Sequence, residues 1–131
     1  MKKDIEIPEV KDVHVAAVKV FNEEFESYEW NVYLINNLNE PIEMVLIVSK
    51  GFDEKRETSL MRHKIEVLPS KNFAKIEYLQ DEVLTFNNEF KVTYFAGNKM
   101  MEKTFLFKSN SIKDSRSTKI PIIPENGILA I

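Results

Sequence analysis

The chain is written in short runs in which apolar and polar residues alternate with a period of two. In Tyr28-Glu29-Trp30-Asn31-Val32-Tyr33-Leu34, positions 28, 30, 32 and 34 form one apolar face, the pattern of a strand with one side on a core. Asn36-Asn37-Leu38-Asn39-Glu40-Pro41 interrupts it, because Asn accepts turn geometry and Pro cannot donate to a ladder. Ile42-Glu43-Met44-Val45-Leu46-Ile47-Val48 follows, with 42, 44, 46 and 48 predicted to face inward. Val45 and Ile47 make its second face partly apolar, as in a central strand. These two runs are predicted to pair as a hairpin.

An earlier strand is predicted over 13–21. Its alternation slips at Ala16-Ala17: Val13 and Val15 share one face, Val18 and Val20 the other. A one-residue slip turns every later side chain over, so a bulge or a change of sheet is expected there. Further strands are predicted over 65–68, 73–79, 90–95 and 103–108. Ala96-Gly97-Asn98-Lys99 reads as a tight hairpin turn, since Gly and Asn both tolerate positive φ. Leu79, Val83 and Phe86 have the spacing of one helical turn, and a plain crossover loop fits equally well. About seven short strands without a long helix predict an all-β fold, an immunoglobulin-like antiparallel β-sandwich. Trp30, Leu34, Leu46 and Val92 are expected to meet between its layers. The organisation expected is an N-terminal extension (1–11), the sandwich (12–108) and a C-terminal tail (109–131) packed on the sandwich or on a partner.

Composition narrows the chemistry. A chain of 131 residues, 44% hydrophobic and 30% charged, has the make-up of one ordinary globular domain. Without cysteine there is no disulfide framework, thiolate metal site or thiol nucleophile. Met1-Lys2-Lys3 resembles the start of a signal peptide, but Asp4, Glu6, Glu9 and Asp12 stand where an apolar stretch belongs. The longest uniformly apolar run, 44–48, is too short to cross a bilayer. A cytoplasmic protein with no membrane partner is expected. The net charge of −3 gives no general attraction for nucleic acid.

Two resemblances bear on the fold. Leu84-x-Phe86-x-Asn88-x-Phe90-x-Val92-x-Tyr94-x-Ala96-x-Asn98 resembles the approach to the sixth strand of fibronectin type III domains, where a leucine stands six residues before a corner tyrosine. Phe90 occupies that position here and fills the slot without a hydroxyl. The resemblance implies the sandwich fold and carries no activity. The segments Ile7-Pro8-Glu9-Val10-Lys11-Asp12-Val13 and Met44-Val45-Leu46-Ile47-Val48-Ser49-Lys50-Gly51-Phe52-Asp53-Glu54-Lys55-Arg56 resemble a family of small bacterial proteins, some labelled as a phenylalanyl-tRNA synthetase subunit. A class II synthetase core needs a large antiparallel sheet flanked by helices, with arginines placed to grip ATP. This chain has neither the length nor the pattern, so the activity is not carried over.

Candidate chemistry is sparse. Gly51, Gly97 and Gly127 are isolated, so no phosphate-cradling loop or dinucleotide fingerprint is present, and no cofactor is implied. His14 is predicted to face outward from its strand, and His63 lies between Arg62 and Lys64, which disfavour its protonation. Two histidines so far apart imply no metal site. Glu23-Glu24 with Glu26, and Asp53-Glu54 with Glu57, read as solvated turns. No catalytic residues are assigned.

Two segments remain. Lys50, Lys55, Arg56, Arg62, His63 and Lys64 make the connection over 50–64 basic, a candidate site for a phosphate or an acidic partner, weighed against a solvated loop. The tail is basic through Lys108, Lys113, Arg116 and Lys119, then apolar at Ile120, Ile122, Ile123, Ile128 and Leu129. It is expected either to cover a sheet edge or to dock on another chain. The function expected is a non-catalytic intracellular binding or protein-interaction module. Its partner is an unnamed protein or a second copy, bound through a strand edge or the tail. Two competitors stand beside it: a nucleic-acid-contacting accessory protein using the basic residues of 50–64 and 108–119, disfavoured by net charge, and a small enzyme.

Overall fold

The computed structural model describes residues 8–131. Met1-Lys2-Lys3 and the rest of the first seven residues, including most of the expected N-terminal extension, lie outside the described residues. Among the described residues, eight strands form two four-stranded antiparallel sheets. One contains β1 (Val13–Asn22), β2 (Ser27–Asn36), β5 (Asn72–Leu79) and the two-residue β8 (Ile128–Leu129), in the order β5-β2-β1-β8. The other contains β3 (Ile42–Phe52), β4 (Met61–Leu68), β6 (Asn87–Ala96) and β7 (Lys99–Phe107), in the order β4-β3-β6-β7. The sheets enclose one main core in which Val15, Val32, Leu34, Ile47, Val92 and Phe105 are essentially inaccessible. Burying each such side chain contributes roughly 1.5–3 kcal/mol. A single 3₁₀ turn, Asp81–Thr85, joins β5 to β6. Gly97, at φ +63°, makes the two-residue turn between β6 and β7.

Three local expectations need correction. β2 and β3 are not a hairpin: β2 pairs with β1 and β5, and β3 with β4 and β6, so the 37–41 loop crosses between sheets. Asn36 fixes that crossing. Its Nδ2 lies 3.0 Å from Glu40 O, 3.1 Å from Leu68 O and 3.0 Å from Pro69 O, and its Oδ1 accepts the Leu38 N–H at 3.0 Å. A hairpin would leave that buried amide without the carbonyls of the opposite sheet.

The inward face of β3 is 42, 45, 47 and 49 rather than 42, 44, 46 and 48. Met44 has φ +50°, and the β3–β6 register shifts between Glu43 and Leu46. The bulge turns the strand over, leaving Met44 67% and Leu46 45% exposed. Of the four side chains expected to meet in the core, Trp30, Leu34 and Val92 do so and Leu46 does not.

β1 carries no slip. It pairs with β2 without interruption from Val13↔Asn36 to Asn22↔Ser27. Ala16-Ala17 breaks the alternation because both faces of β1 are covered. Val13, Val15 and Ala17 join the main core, while Ala16 and Val18 join a second cluster with Ile35, Ile120 and Ile123 on the outside of the same sheet.

That second cluster is built by the segment after β7, which packs on its own sandwich. The segment passes over the outer face of β1 and β2, then returns as β8 along the edge of β1. Ala130 N–H donates to Val15 O at 2.9 Å, and Ile131 and Leu106 exchange two main-chain hydrogen bonds of 2.8 and 3.0 Å. One short segment thereby closes the side of the sandwich between β1 and β7.

Candidate functional site

Among the described residues, the opposite side is open. β4 and β5 are the edge strands there and belong to different sheets. At the end holding Asn36, Leu68 and Asn72 they are drawn together by the Asn36 amide and by Ser70 Oγ, which donates to Leu38 O at 2.6 Å. Toward Met61 and Leu79 they diverge around a cleft of about 590 Å³, within the size range of small-molecule and peptide side-chain pockets. Ile76, Leu79, Val83 and Phe90 supply apolar wall, and Ser59, Met61 and Tyr78 form part of its lining.

A polar network spans the cleft between the sheets. Glu77 of β5 accepts a hydrogen bond from Ser49 Oγ of β3 at 2.6 Å, and His63 Nε2 of β4 lies 2.8 Å from the same Glu77 Oε1. Ser49 is buried, and the side chains of Glu77 and His63 are 9% and 22% exposed. The β2–β5 register shifts between Val32 and Tyr33, which pair with Glu77 and Lys75 and leave Ile76 without a partner on β2. The bulge falls at the start of the stretch Ile76 to Gln80, all of which lines the cleft, and sets Ile76 beside Glu77. Both hydrogen bonds converge on the carboxylate. The serine donates to the acid and not to the imidazole, so the trio lacks the nucleophile–base contact of a hydrolase. It acts as a tie between sheets and as an acceptor facing the cleft.

Of the basic residues singled out in the sequence, His63 belongs to this cleft and Lys50 lines it. The others are dispersed. Lys50 lies in β3 and Arg62, His63 and Lys64 lie in β4, so the connection between the strands is only 53–60. Lys50 Nζ is 3.0 Å from Glu57 Oε1, a contact that raises its pKa through the hydrogen bond and then the charge of Glu57. Arg56 is held by Asp53 at 2.9 Å and lies over the Phe86 ring at 4.8 Å. Asp53 is held below the usual carboxylate range, first by the Lys55 backbone N–H and then by Arg56. Lys55, Arg62 and Lys64 point to solvent. Six cations therefore do not converge on one anion.

The apolar tail residues are largely consumed by their own domain. Ile120, Ile123 and Ile128 are buried and Ile122 is half-buried; only Leu129, 38% exposed, presents much surface. The first three cannot dock a partner while they cover β1. Gly127 allows their approach: a Cβ there would stand 2.7 Å from Ala17 O and 2.9 Å from Ile120 Cδ1.

Sequence reasoning missed Ser49 and Glu77. A signal was present for the second. Ile76 and Leu79 are three apart and both buried, a spacing that a strand satisfies only with an extra residue between them. Ser49 has no such mark. Among the described residues, no group of three or more acidic or histidine side chains is placed to hold a metal ion, and no helix is long and apolar enough to cross a membrane. Set against protein-family models, curated proteins and solved structures, the chain matches none.

Proposed function

We propose that this chain is a non-catalytic binding module of immunoglobulin-like type whose contact region is the open β4–β5 side. The strand order supports the fold assignment: strands one, two and five lie in one sheet and three, six and seven in the other, as in immunoglobulin domains, with the fourth strand placed beside the third. One observation carries the functional reading. A carboxylate largely withdrawn from water, Glu77, is fixed by Ser49 and His63 on the wall of a mainly apolar cleft. Such an acceptor favours a ligand that places an ammonium, guanidinium or amide N–H against Glu77 and an apolar group against Ile76, Leu79 and Phe90.

The test is to pan a displayed library of linear peptides against the full chain. Recovered peptides are expected to carry a lysine, an arginine or a free amino terminus next to an apolar residue. Their affinity should fall about tenfold or more in Glu77→Gln, which keeps shape and loses charge. It should also fall in Ser59→Trp, which fills the exposed mouth of the cleft. An empty selection, or peptides that bind both variants as well as the parent, overturns the reading.

A second reading, contact with nucleic acid, rests on a depression of about 640 Å³ lined by Asp53–Arg56, Asn87 and Ser109, where the two basic segments meet. Asp53 and Glu54 share that lining and Arg56 is already paired, which weakens its pull on phosphate. Binding to single-stranded RNA that falls steeply with salt would favour it.

A further inference from the structure

The outer face of the β4-β3-β6-β7 sheet is unlike the other outer face, which the 118–127 segment covers. It exposes four large apolar side chains: Met44 (67%), Leu46 (45%), Val67 (53%) and Met100 (56%). Strand pairing places three of them in two neighbouring rows, with Met44 at the bulge of β3 between Glu43 and Leu46. One row runs Val67–Glu43–Phe95–Met100 and the next Lys64–Leu46–Thr93–Glu102, each taking one residue from β4, β3, β6 and β7 in turn. Large apolar side chains exposed together on one sheet face mark an interaction site, and methionine suits a face that must adapt to a partner.

The charges indicate which partner. The second row begins with a cation on β4 and ends with an anion on β7. Among the described residues Lys64 carries no ion pair. Glu102 has only loose partners, Lys91 Nζ at 3.8 Å and Thr93 Oγ1 at 3.4 Å. A homodimer interface must be self-complementary, since the contact of residue i with j is repeated as j with i. A two-fold axis parallel to the strands, lying between β3 and β6, exchanges the two ends of each row. It sets Lys64 of one copy over Glu102 of the other, twice, and lays Val67 over Met100, also twice. A two-fold axis across the strands and along that row would instead set Lys64 against Lys64.

We propose that two copies of this chain pair face to face through this outer sheet, with their strands running in the same sense and Lys64 opposite Glu102. The proposal is independent of the cleft, which opens on the side of the sandwich. The face spans four strands about 4.8 Å apart, a small interface by the standard of stable complexes, so the dimer is expected to dissociate on dilution.

Sedimentation velocity of the full chain over a wide concentration range tests it. The parent protein should shift from monomer to dimer with rising concentration, and Leu46→Glu should abolish the shift. Lys64→Glu and Glu102→Lys should each weaken dimerisation at least about tenfold, since like charges then face each other. An equimolar mixture of these two single variants should dimerise again, because every contact in the mixed pair is once more opposite in sign. All three substituted side chains are exposed, so unchanged circular dichroism and melting temperature will confirm that each variant is folded. A parent protein that stays monomeric throughout, a dimer indifferent to Leu46→Glu, or a mixture no better associated than its components overturns the proposal.

Discussion

On the β1–β7 side of the sandwich the gap between sheets is filled by backbone. Ile128 and Leu129 pair with Ala17 and Ala16, and Ile131 reaches Leu106 of the opposite sheet. Main-chain groups of both sheets are satisfied there, and the edge of β1 over Val15–Ala17 is covered against other chains. On the β4–β5 side no strand of the described residues intervenes. Side chains hold the sheets: the Asn36 amide at one end, the Ser49–Glu77–His63 network further along. A backbone closure leaves no room and demands a glycine. A side-chain closure ties the sheets at points and leaves space between them, and the cleft is that space.

The largest effect should come from breaking the closed side. Gly127→Val drives a branched side chain into Ala17 O, a backbone atom that cannot turn away. We expect a loss of about 2–3 kcal/mol in urea unfolding, with loss of hydrogen-exchange protection at Ile128–Ile131. Parental stability with protection intact would show that β8 contributes little to the closure. On the open side, Asn36→Ala strips the partner from the carbonyls of Glu40, Leu68 and Pro69. The expected cost is about 2 kcal/mol, chiefly from leaving buried acceptors unpaired. A cost close to that of an ordinary surface substitution would mean that water replaces the amide.

The smallest effect sharpens the contrast through pH. His14 lies on β1, and burial lowers its pKa from 6.5, an effect partly opposed by Asp12 and reinforced by Lys103. Below pH 6.5 the unfolded chain takes up a proton at His14 before the native chain does. The stability due to its neutral form is thus complete above that value and is lost as pH falls through the depressed native pKa. His14→Gln should flatten this part of the acid profile, read as the difference in unfolding free energy between variant and parent across mildly acid pH. Parallel profiles would place His14 in effectively aqueous surroundings.

How far these features could be read from the sequence depended on how local their cause is. The inward face of Trp30, Val32 and Leu34 was plain because Glu29, Asn31 and Tyr33 alternate with them. Met44 to Val48 is apolar at every position, so both alternations fit it equally, and only the positive φ at Met44 chooses between them. Ala16-Ala17 looked like a slip because its second covering, Ile120 and Ile123, lies about a hundred residues away in the chain. The crossing from β2 to β3 was hidden for a similar reason: Asn36 looks like any loop asparagine until Leu68 and Pro69 are brought beneath it. At the cleft, His63 could be named from its rarity in the composition. Its partner Glu77 is one of many glutamates and acquires its position from a bulge.

The Asn36 amide also sets the mechanics of the open side. With β4 and β5 held there and held again where Ser49 and His63 meet Glu77, the open side is clamped at two levels. The second clamp lies about 17 Å along β4 from the first, five residues at about 3.4 Å each. The mouth of the cleft is thus framed rather than hinged, and its width is set by the reach of the side chains that span it.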